Sequence, residues 1–130
     1  MVELTAPCPC GSNGKFGGCC ARYLDGSEPA PTAKALMRSR YTAYTLRRED
    51  YLLKTWHPST RPAALALAED APTKWLGLEV KRHDQLDADH ALVEFVARYK
   101  VQGRAHRLHE TSRFVREHGC WLYVDGEIKA

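Results

Sequence analysis

Four of the five cysteines lie within thirteen residues near the start of the chain, at Cys8, Cys10, Cys19 and Cys20. A Cys-x-Cys pair and an adjacent Cys-Cys pair are separated by eight residues, four of which are glycines. Zinc takes four thiolates in a tetrahedron at structural sites. Because glycine lets a short loop turn back sharply, the two pairs can converge on one ion. The spacing therefore predicts one zinc ion held by these four cysteines.

Two other interpretations of the cysteines are disulfide bonds and unlinked structural thiols. Disulfides are disfavoured, because adjacent cysteines such as Cys19 and Cys20 pair badly and residues 1–7 do not look like an export signal. If all four ligands come from the protein, no coordination position is left for water or substrate. The zinc is therefore expected to be structural rather than catalytic.

The cysteine stretch resembles the SEC-C zinc motif, named after the C-terminus of the bacterial secretion ATPase. The usual form is Cys-x-Cys-Gly-Ser-Gly, two or three polar residues, an aromatic residue, and Cys-Cys or Cys-His. Residues 10–12 and Phe16 match this form, whereas Asn13 shifts the next glycine by one position. In the secretion ATPase the motif serves protein and ribosome contacts, so the resemblance implies a docking role for this stretch.

Five further segments resemble the YchJ-like family of bacterial proteins. They are residues 36–41 (LMRSRY), 50–52 (DYL), 55–59 (TWHPS), 75–78 (WLGL) and 112–114 (SRF). With the cysteines they cover the chain from Cys8 to about Gly126. The resemblance implies a SEC-C motif followed by a cystatin-like α+β domain shaped like nuclear transport factor 2, without implying an activity.

The remaining sequence predicts two parts, a zinc knuckle with its linker over residues 1–28 and an α+β domain over residues 29–130. Turn-forming residues at 25–31 mark the boundary. Thr32 is a candidate N-cap for a helix reaching about Leu46, along which apolar residues recur three and four positions apart. Asp50 is a candidate cap for a shorter helix that reaches Trp56, and a third helix is expected over residues 63–70.

After about residue 76 the apolar period changes to two, which predicts strands separated by turns at 87–89, 102–103 and 118–119. Helices followed by strands favour helices packed on a curved antiparallel sheet, a cystatin-like cone. A two-residue turn at 102–103 places Phe95 opposite Glu110 on the face under the helices, with His106 on that face as well. The turn at 118–119 adds Trp121 and Tyr123 to it. An apolar strip on the outer face suggests a homodimer contact; it contains Leu92, Val96, Val115, Leu122 and Val124.

Glu110 on the core face needs a partner, because an unpaired buried carboxylate is costly. Arg40, on the apolar stripe of the first helix, is the candidate, and a structural ion pair is the favoured interpretation. The alternative is a cone-shaped pocket floored by Arg40 and Glu110, of the kind in which isomerases and dehydratases use a carboxylate or histidine base. Its mouth would hold Tyr41, Tyr44, Trp56 and His57.

The chain has 130 residues and a formal charge of +3. A zinc ion with four thiolates carries about −2, so direct nucleic-acid binding is not indicated. No apolar run approaches the length of a membrane span, and the cytoplasm is the expected location. These features favour a small zinc-binding adaptor that contacts a protein or ribosomal surface through residues 8–20, Lys15 and Arg22. An enzyme or small-ligand-binding protein that uses the cone pocket is the alternative.

Overall fold

The computed structural model describes residues 3–65 and 73–128, in which a cysteine loop and three helices precede four strands. The helices are α1 (Ala21–Leu24), α2 (Ala33–Thr45) and α3 (Glu49–Lys54). The strands are β1 (Thr73–Asp87), β2 (His90–Val101), β3 (Arg104–Glu117) and β4 (Cys120–Ile128). They form one antiparallel sheet in the order β1-β2-β3-β4. The predicted α+β class is confirmed.

Helix α2 begins where the sequence predicts, because the Thr32 hydroxyl accepts a hydrogen bond from the Ala35 N–H at 3.0 Å. Helix α3 begins at Glu49 rather than after a cap at Asp50, and it ends at Lys54. The expected helix over residues 63–70 is absent at 63–65, and its other residues lie outside the described part of the chain.

The predicted register of β2 and β3 is confirmed, with Phe95 opposite Glu110. The turns after β2 and after β3 each use two residues with positive φ, 52° and 80° at Gln102 and Gly103, and 53° and 78° at His118 and Gly119. Such turns match the twist of the adjoining strands and so fix which side chains face the helices. The expected core face is therefore correct from β2 to β4, including Trp121 and Tyr123.

The knuckle and the α+β part share one continuous hydrophobic core. Phe16 in the cysteine loop and Tyr23 on α1 belong to the same buried cluster as Leu36 on α2 and Phe114 on β3. The proposed division at residue 28 therefore runs through packed side chains rather than through a solvent gap. Among the described residues, no helix is both long and apolar enough to cross a bilayer.

The outer face of the sheet is less apolar than its sequence strip suggests. Val96 is completely buried, between the cross-strand neighbours Glu79 and His109, and the other four residues of the strip are partly buried. His109 Nε2 and Glu94 Oε2 lie 2.6 Å apart, within hydrogen-bond distance, on this face. The homodimer contact through it stays a prediction.

Candidate functional site

The first candidate site is the cysteine cluster. The sulfur atoms of Cys8, Cys10, Cys19 and Cys20 all lie within 4.8 Å of one another, and the Cys10 and Cys19 sulfurs are 3.6 Å apart. A tetrahedron of thiolates at about 2.3 Å from a zinc ion has sulfur–sulfur edges of about 3.8 Å. All five cysteines, each in the described part of the chain, are free thiols. The donor set and its spacing fit a four-coordinate metal ion.

The loop between the two cysteine pairs is held by its own backbone. Pro7 and Lys15 form an antiparallel bridge, and the Cys8 N–H donates to the Gly14 carbonyl at 2.9 Å. Asn13, which departs from the usual glycine of the motif, has a φ of 71°. Asparagine tolerates this left-handed conformation better than most residues, so the substitution preserves the turn.

Side chains of α2 and the loop surround the sulfurs with hydrogen-bond donors. The Ser12 hydroxyl lies 3.1 Å from the Cys19 sulfur. Arg38 Nη1 donates to the Cys10 carbonyl at 2.9 Å and lies 3.8 Å from the Cys10 sulfur, while the Thr42 hydroxyl lies 3.9 Å from the Cys8 sulfur. Such donors help to balance the negative charge that a four-thiolate site carries.

Hydrogen bonds among Cys8, Cys10 and Cys20 link the ionisation of these three thiols. Hydrogen bonds from Cys20 and Cys8 lower the pKa of Cys10, whereas the hydrogen bond with Cys10 raises the pKa of Cys20 and also that of Cys8. The arrangement favours one shared thiolate, because several buried thiolates repel one another. A divalent cation would allow all four sulfurs to ionise, and in a closed four-ligand site it would act structurally.

The second candidate site is a cavity of about 270 Å³ between α2, the segment after α3 and the core face of the sheet. Two backbone hydrogen bonds of 2.8 Å tie Thr55 and His57 to Tyr123 of β4, which sets Trp56 against the Tyr123 ring at 5.0 Å. The lining is mainly aromatic and apolar, with three polar residues; it comprises Met37, Arg40, Tyr41, Tyr44, Trp56, Trp75, Phe95, Ala97, Leu108, Glu110, Ser112 and Tyr123.

Arg40 is only 4% exposed, and one edge of its guanidinium is bound. Nη1 donates to the Leu52 carbonyl at 2.8 Å and to the Thr55 hydroxyl at 2.7 Å. The guanidinium carbon lies 5.0 Å from the Trp56 ring centroid and 4.6 Å from that of Tyr123, so both rings make cation–π contacts with it. Burial lowers the pKa of Arg40, although a guanidinium stays charged in proteins.

Glu110 presents its carboxylate to the same cavity. Its Oε2 accepts hydrogen bonds from the Ser112 hydroxyl at 2.5 Å and the Tyr123 hydroxyl at 3.5 Å. A Cβ at Gly126, opposite Ser112, would overlap this carboxylate. The absence of a side chain at Gly126 therefore leaves room for the Glu110 carboxylate. Within the described residues, neither Glu110 Oε1 nor Nε and Nη2 of Arg40 has a hydrogen-bond partner.

The predicted direct ion pair between Arg40 and Glu110 is wrong. Both residues belong to the described part of the chain, and Arg40 binds the Leu52 carbonyl instead. A carbonyl in the last turn of a helix lacks an intrahelical partner, and the long arginine side chain reaches it. The two charges therefore share a cavity without touching, which leaves both available to a third group.

The placement of His57 at the mouth of the cavity is also wrong. Because side chains alternate along the segment that pairs with β4, Trp56 points into the cavity and His57 points away from it. His57 Nε2 lies 2.8 Å from Glu117 Oε2, and Nδ1 lies 2.7 Å from the Ser59 hydroxyl. The structure does place Arg40, Tyr41, Tyr44, Trp56 and Glu110 around one cavity.

The cavity hydroxyls are neutral. Burial raises the pKa of Tyr41 to about 12, and it also raises the pKa values of Tyr44 and Tyr123. These tyrosines can donate or accept hydrogen bonds at neutral pH without adding charge. The charged groups of the cavity lining are therefore Arg40 and Glu110.

A family model described as "YchJ, middle NTF2-like domain" matches residues 32–126. The chain belongs to the YchJ family. A UPF0225 protein of Chromobacterium violaceum is 63% identical over 131 residues, covering 97% of this chain and 96% of the relative. Another, from Polaromonas naphthalenivorans, is 58% identical over 136 residues, covering 95% of this chain and 98% of the relative. The resemblance found in the sequence is confirmed.

Two solved structures of SEC-C motif containing proteins have the fold of this YchJ-family chain. One, from Rhodopseudomonas palustris, is 32% identical with a TM-score of 0.84 and covers 95% of this chain and 98% of that one. The other, from Psychrobacter arcticus, is 30% identical with a TM-score of 0.80 and covers 100% of this chain and 86% of that one. Both likenesses extend through the cysteine loop as well as the sheet.

Several site residues of this YchJ-family chain carry no role in the sequence analysis. Trp75 and Tyr123 form cavity walls, Ser112 binds Glu110, and Arg38 and Thr42 contact the cysteines. The hairpin register does place Ser112 and Tyr123 on the core face. It does not show how far α2 stands from the sheet, and that distance determines whether a cavity exists.

Proposed function

We propose that this chain is a zinc-stabilised domain whose cone-shaped cavity binds a small ligand. The observation that carries the proposal is the pair of opposite charges, Arg40 and Glu110, which line one aromatic cavity without pairing with each other. Selection for stability alone would favour pairing the buried Arg40 with the partly buried Glu110 or replacing both, because charges without an ionic partner are costly away from water. Concave, mostly apolar cavities with a few convergent polar groups are the usual form of ligand sites.

The tryptophans provide a direct test of ligand binding. Trp56 and Trp75 line the cavity, whereas Trp121 lies outside it. In a titration with a library of fragments of about ten heavy atoms, we expect the indole N–H signals of Trp56 and Trp75 to shift in ¹H–¹⁵N NMR spectra. The Trp121 signal serves as an internal control and should stay in place. A library in which no fragment moves the two cavity signals selectively would reject the proposal.

Zinc is the proposed metal of the cysteine cluster, supported by the all-sulfur donor set and the likeness to SEC-C motif containing proteins. Purified protein should contain about one zinc per chain, and X-ray absorption should give four sulfur neighbours at about 2.3 Å. A disulfide that involves Cys8 or Cys10 in protein purified without air oxidation, or a metal other than zinc at full occupancy, would contradict this assignment.

The adaptor role has less support in the geometry. Of the two basic side chains proposed for docking, Lys15 is exposed. Arg22 instead donates to the Cys19 carbonyl at 3.1 Å, and its guanidinium lies over the Tyr23 ring. Cys10 and Cys20 are completely buried against the rest of the chain, so neither can contact a partner. Contact with a protein or ribosome through the knuckle, and a cytoplasmic location, therefore stay predictions from the sequence.

A further inference from the structure

The guanidinium of Arg40 and the carboxylate of Glu110 offer opposite kinds of hydrogen bond to the cavity. Among residues 3–65 and 73–128, Nε and Nη2 of Arg40 and Oε1 of Glu110 have no hydrogen-bond partner. The two nitrogens can only donate, and the oxygen of an ionised Glu110 can only accept. The Tyr123 ring touches both groups, with the guanidinium over its face and the carboxylate at its hydroxyl. A molecule that rests against this ring can therefore meet a donor on one side and an acceptor on the other.

We infer that the ligand of this cavity is a small, planar, uncharged molecule that carries a hydrogen-bond donor beside an acceptor, as carboxamides and cyclic amides do. The inference rests on the proposed ligand-binding function and adds the chemical class of the ligand. The ligand N–H points to Glu110 Oε1, and the ligand C=O accepts from Arg40.

Charged ligands are disfavoured by the same two residues. A carboxylate gains a contact with Arg40 but brings a second negative charge close to Glu110, and an ammonium group has the converse problem. These repulsions are stronger than at an open surface, because Arg40 is buried and Glu110 is partly buried, so less water screens them. A neutral amide satisfies both protein groups and leaves no charge without a partner.

The walls and the size of the cavity also limit the ligand. Trp56, Trp75 and Tyr44 offer flat aromatic surfaces, which favour stacked or edge contacts with a planar ring. The cavity volume of about 270 Å³ is below the range of about 300–1,000 Å³ typical of sites for drug-sized molecules. A single ring with one polar substituent is therefore the expected scale.

Three probes of one size separate the possible ligand classes: benzamide, benzoate and benzylammonium. Their dissociation constants are measured on the full, metal-loaded chain from the indole signals of Trp56 and Trp75. We expect benzamide to bind at least about tenfold more tightly than either charged probe. The charges of Arg40 and Glu110 offset each other, so the cavity has no net charge to balance that of benzoate or benzylammonium. Benzoate or benzylammonium binding as tightly as benzamide overturns the inference while leaving ligand binding intact. Absence of binding by all three overturns the inference, whereas the proposed function is decided by the fragment library.

Glu110→Gln tests the role of the carboxylate. The change keeps the shape of the side chain but removes its charge and adds donors, so benzoate should bind about tenfold more tightly than to the unmodified protein. Glu94→Gln is the matched control, because Glu94 lies on the outer face beside His109 and should leave all three affinities unchanged. An unchanged benzoate affinity in a folded Glu110→Gln protein contradicts the inference. If that variant does not fold, the ranking of the three probes on the unmodified protein decides.

Discussion

Cys10→Ser is expected to release the metal and to lower the free energy of unfolding by more than about 3 kcal/mol. Cys10 is completely buried, and its sulfur and carbonyl both meet Arg38 of α2. Serine cannot replace a thiolate in a zinc site, and binding of a structural zinc ion is itself a source of folding free energy. A loss of this size should reduce the melting temperature by about 10–20 °C.

Cys120→Ser is the matched control for this change. Cys120 is exposed at the start of β4 and lies outside the cysteine cluster. The same atom replacement there should alter stability by less than about 0.5 kcal/mol and leave zinc content unchanged. Elemental analysis and thermal melts followed by circular dichroism measure both quantities. If Cys10→Ser protein keeps one zinc per chain, or if its melting temperature equals that of the unmodified protein, the metal does not stabilise the fold through Cys10.

The shared core determines which parts of the chain Cys10→Ser should destabilise. Phe16, Tyr23 and Leu24 pack in the same cluster as α2 and the sheet, so loss of the knuckle exposes one side of α2. The sheet has its own register and tight turns, so strand signals should persist at low temperature. The expected result is one folded state with a lowered melting temperature, rather than an unaffected α+β domain with a disordered arm.

The sequence predicts well on which face of the sheet a side chain lies, where strand alternation and turn length determine that face. The alternation of β2 and β3, together with a two-residue turn of Gln102 and Gly103, is sufficient to place Glu110 under the helices. The close spacing of the cysteines is sufficient to identify the metal ligands as a group, because all four come from one short loop. In both cases the contacts are close in sequence, and their geometry follows from turn and strand conformations.

The sequence is less informative about contacts between distant segments. Arg40 and Glu110 were correctly placed toward each other, but the partner of a long side chain depends on every acceptor within its reach, and Leu52 is nearer in the fold. His57 was misplaced because the pairing of residues 55–57 with Tyr123 joins segments far apart in the chain. Strand alternation alone does not determine the face of Trp75, because bulges in β1 shift its register against β2.

Arg40→Met is expected to lower the free energy of unfolding by about 2–4 kcal/mol. Methionine fills much of the same volume, but it leaves the Leu52 carbonyl and the Thr55 hydroxyl without their charged donor. It also removes the cation that contacts the Trp56 and Tyr123 rings. The gain from no longer burying a charge offsets only part of these losses, because the guanidinium has favourable contacts on its bound edge and with both rings.

Arg107→Met is the matched control, because Arg107 is exposed on β3, where substitutions typically change stability by less than about 0.5 kcal/mol. Urea unfolding curves of both variants give the comparison. Glu110→Gln belongs in the same series: without a direct ion pair, its stability should stay close to that of the unmodified protein. Equal losses for Arg40→Met and Glu110→Gln would indicate that the two charges stabilise the fold as a pair. A large loss of unfolding free energy for Arg40→Met alone would show that Arg40 stabilises the contact between α2 and the end of α3. In that case Glu110 does not contribute to the stability of the fold and is available to a ligand.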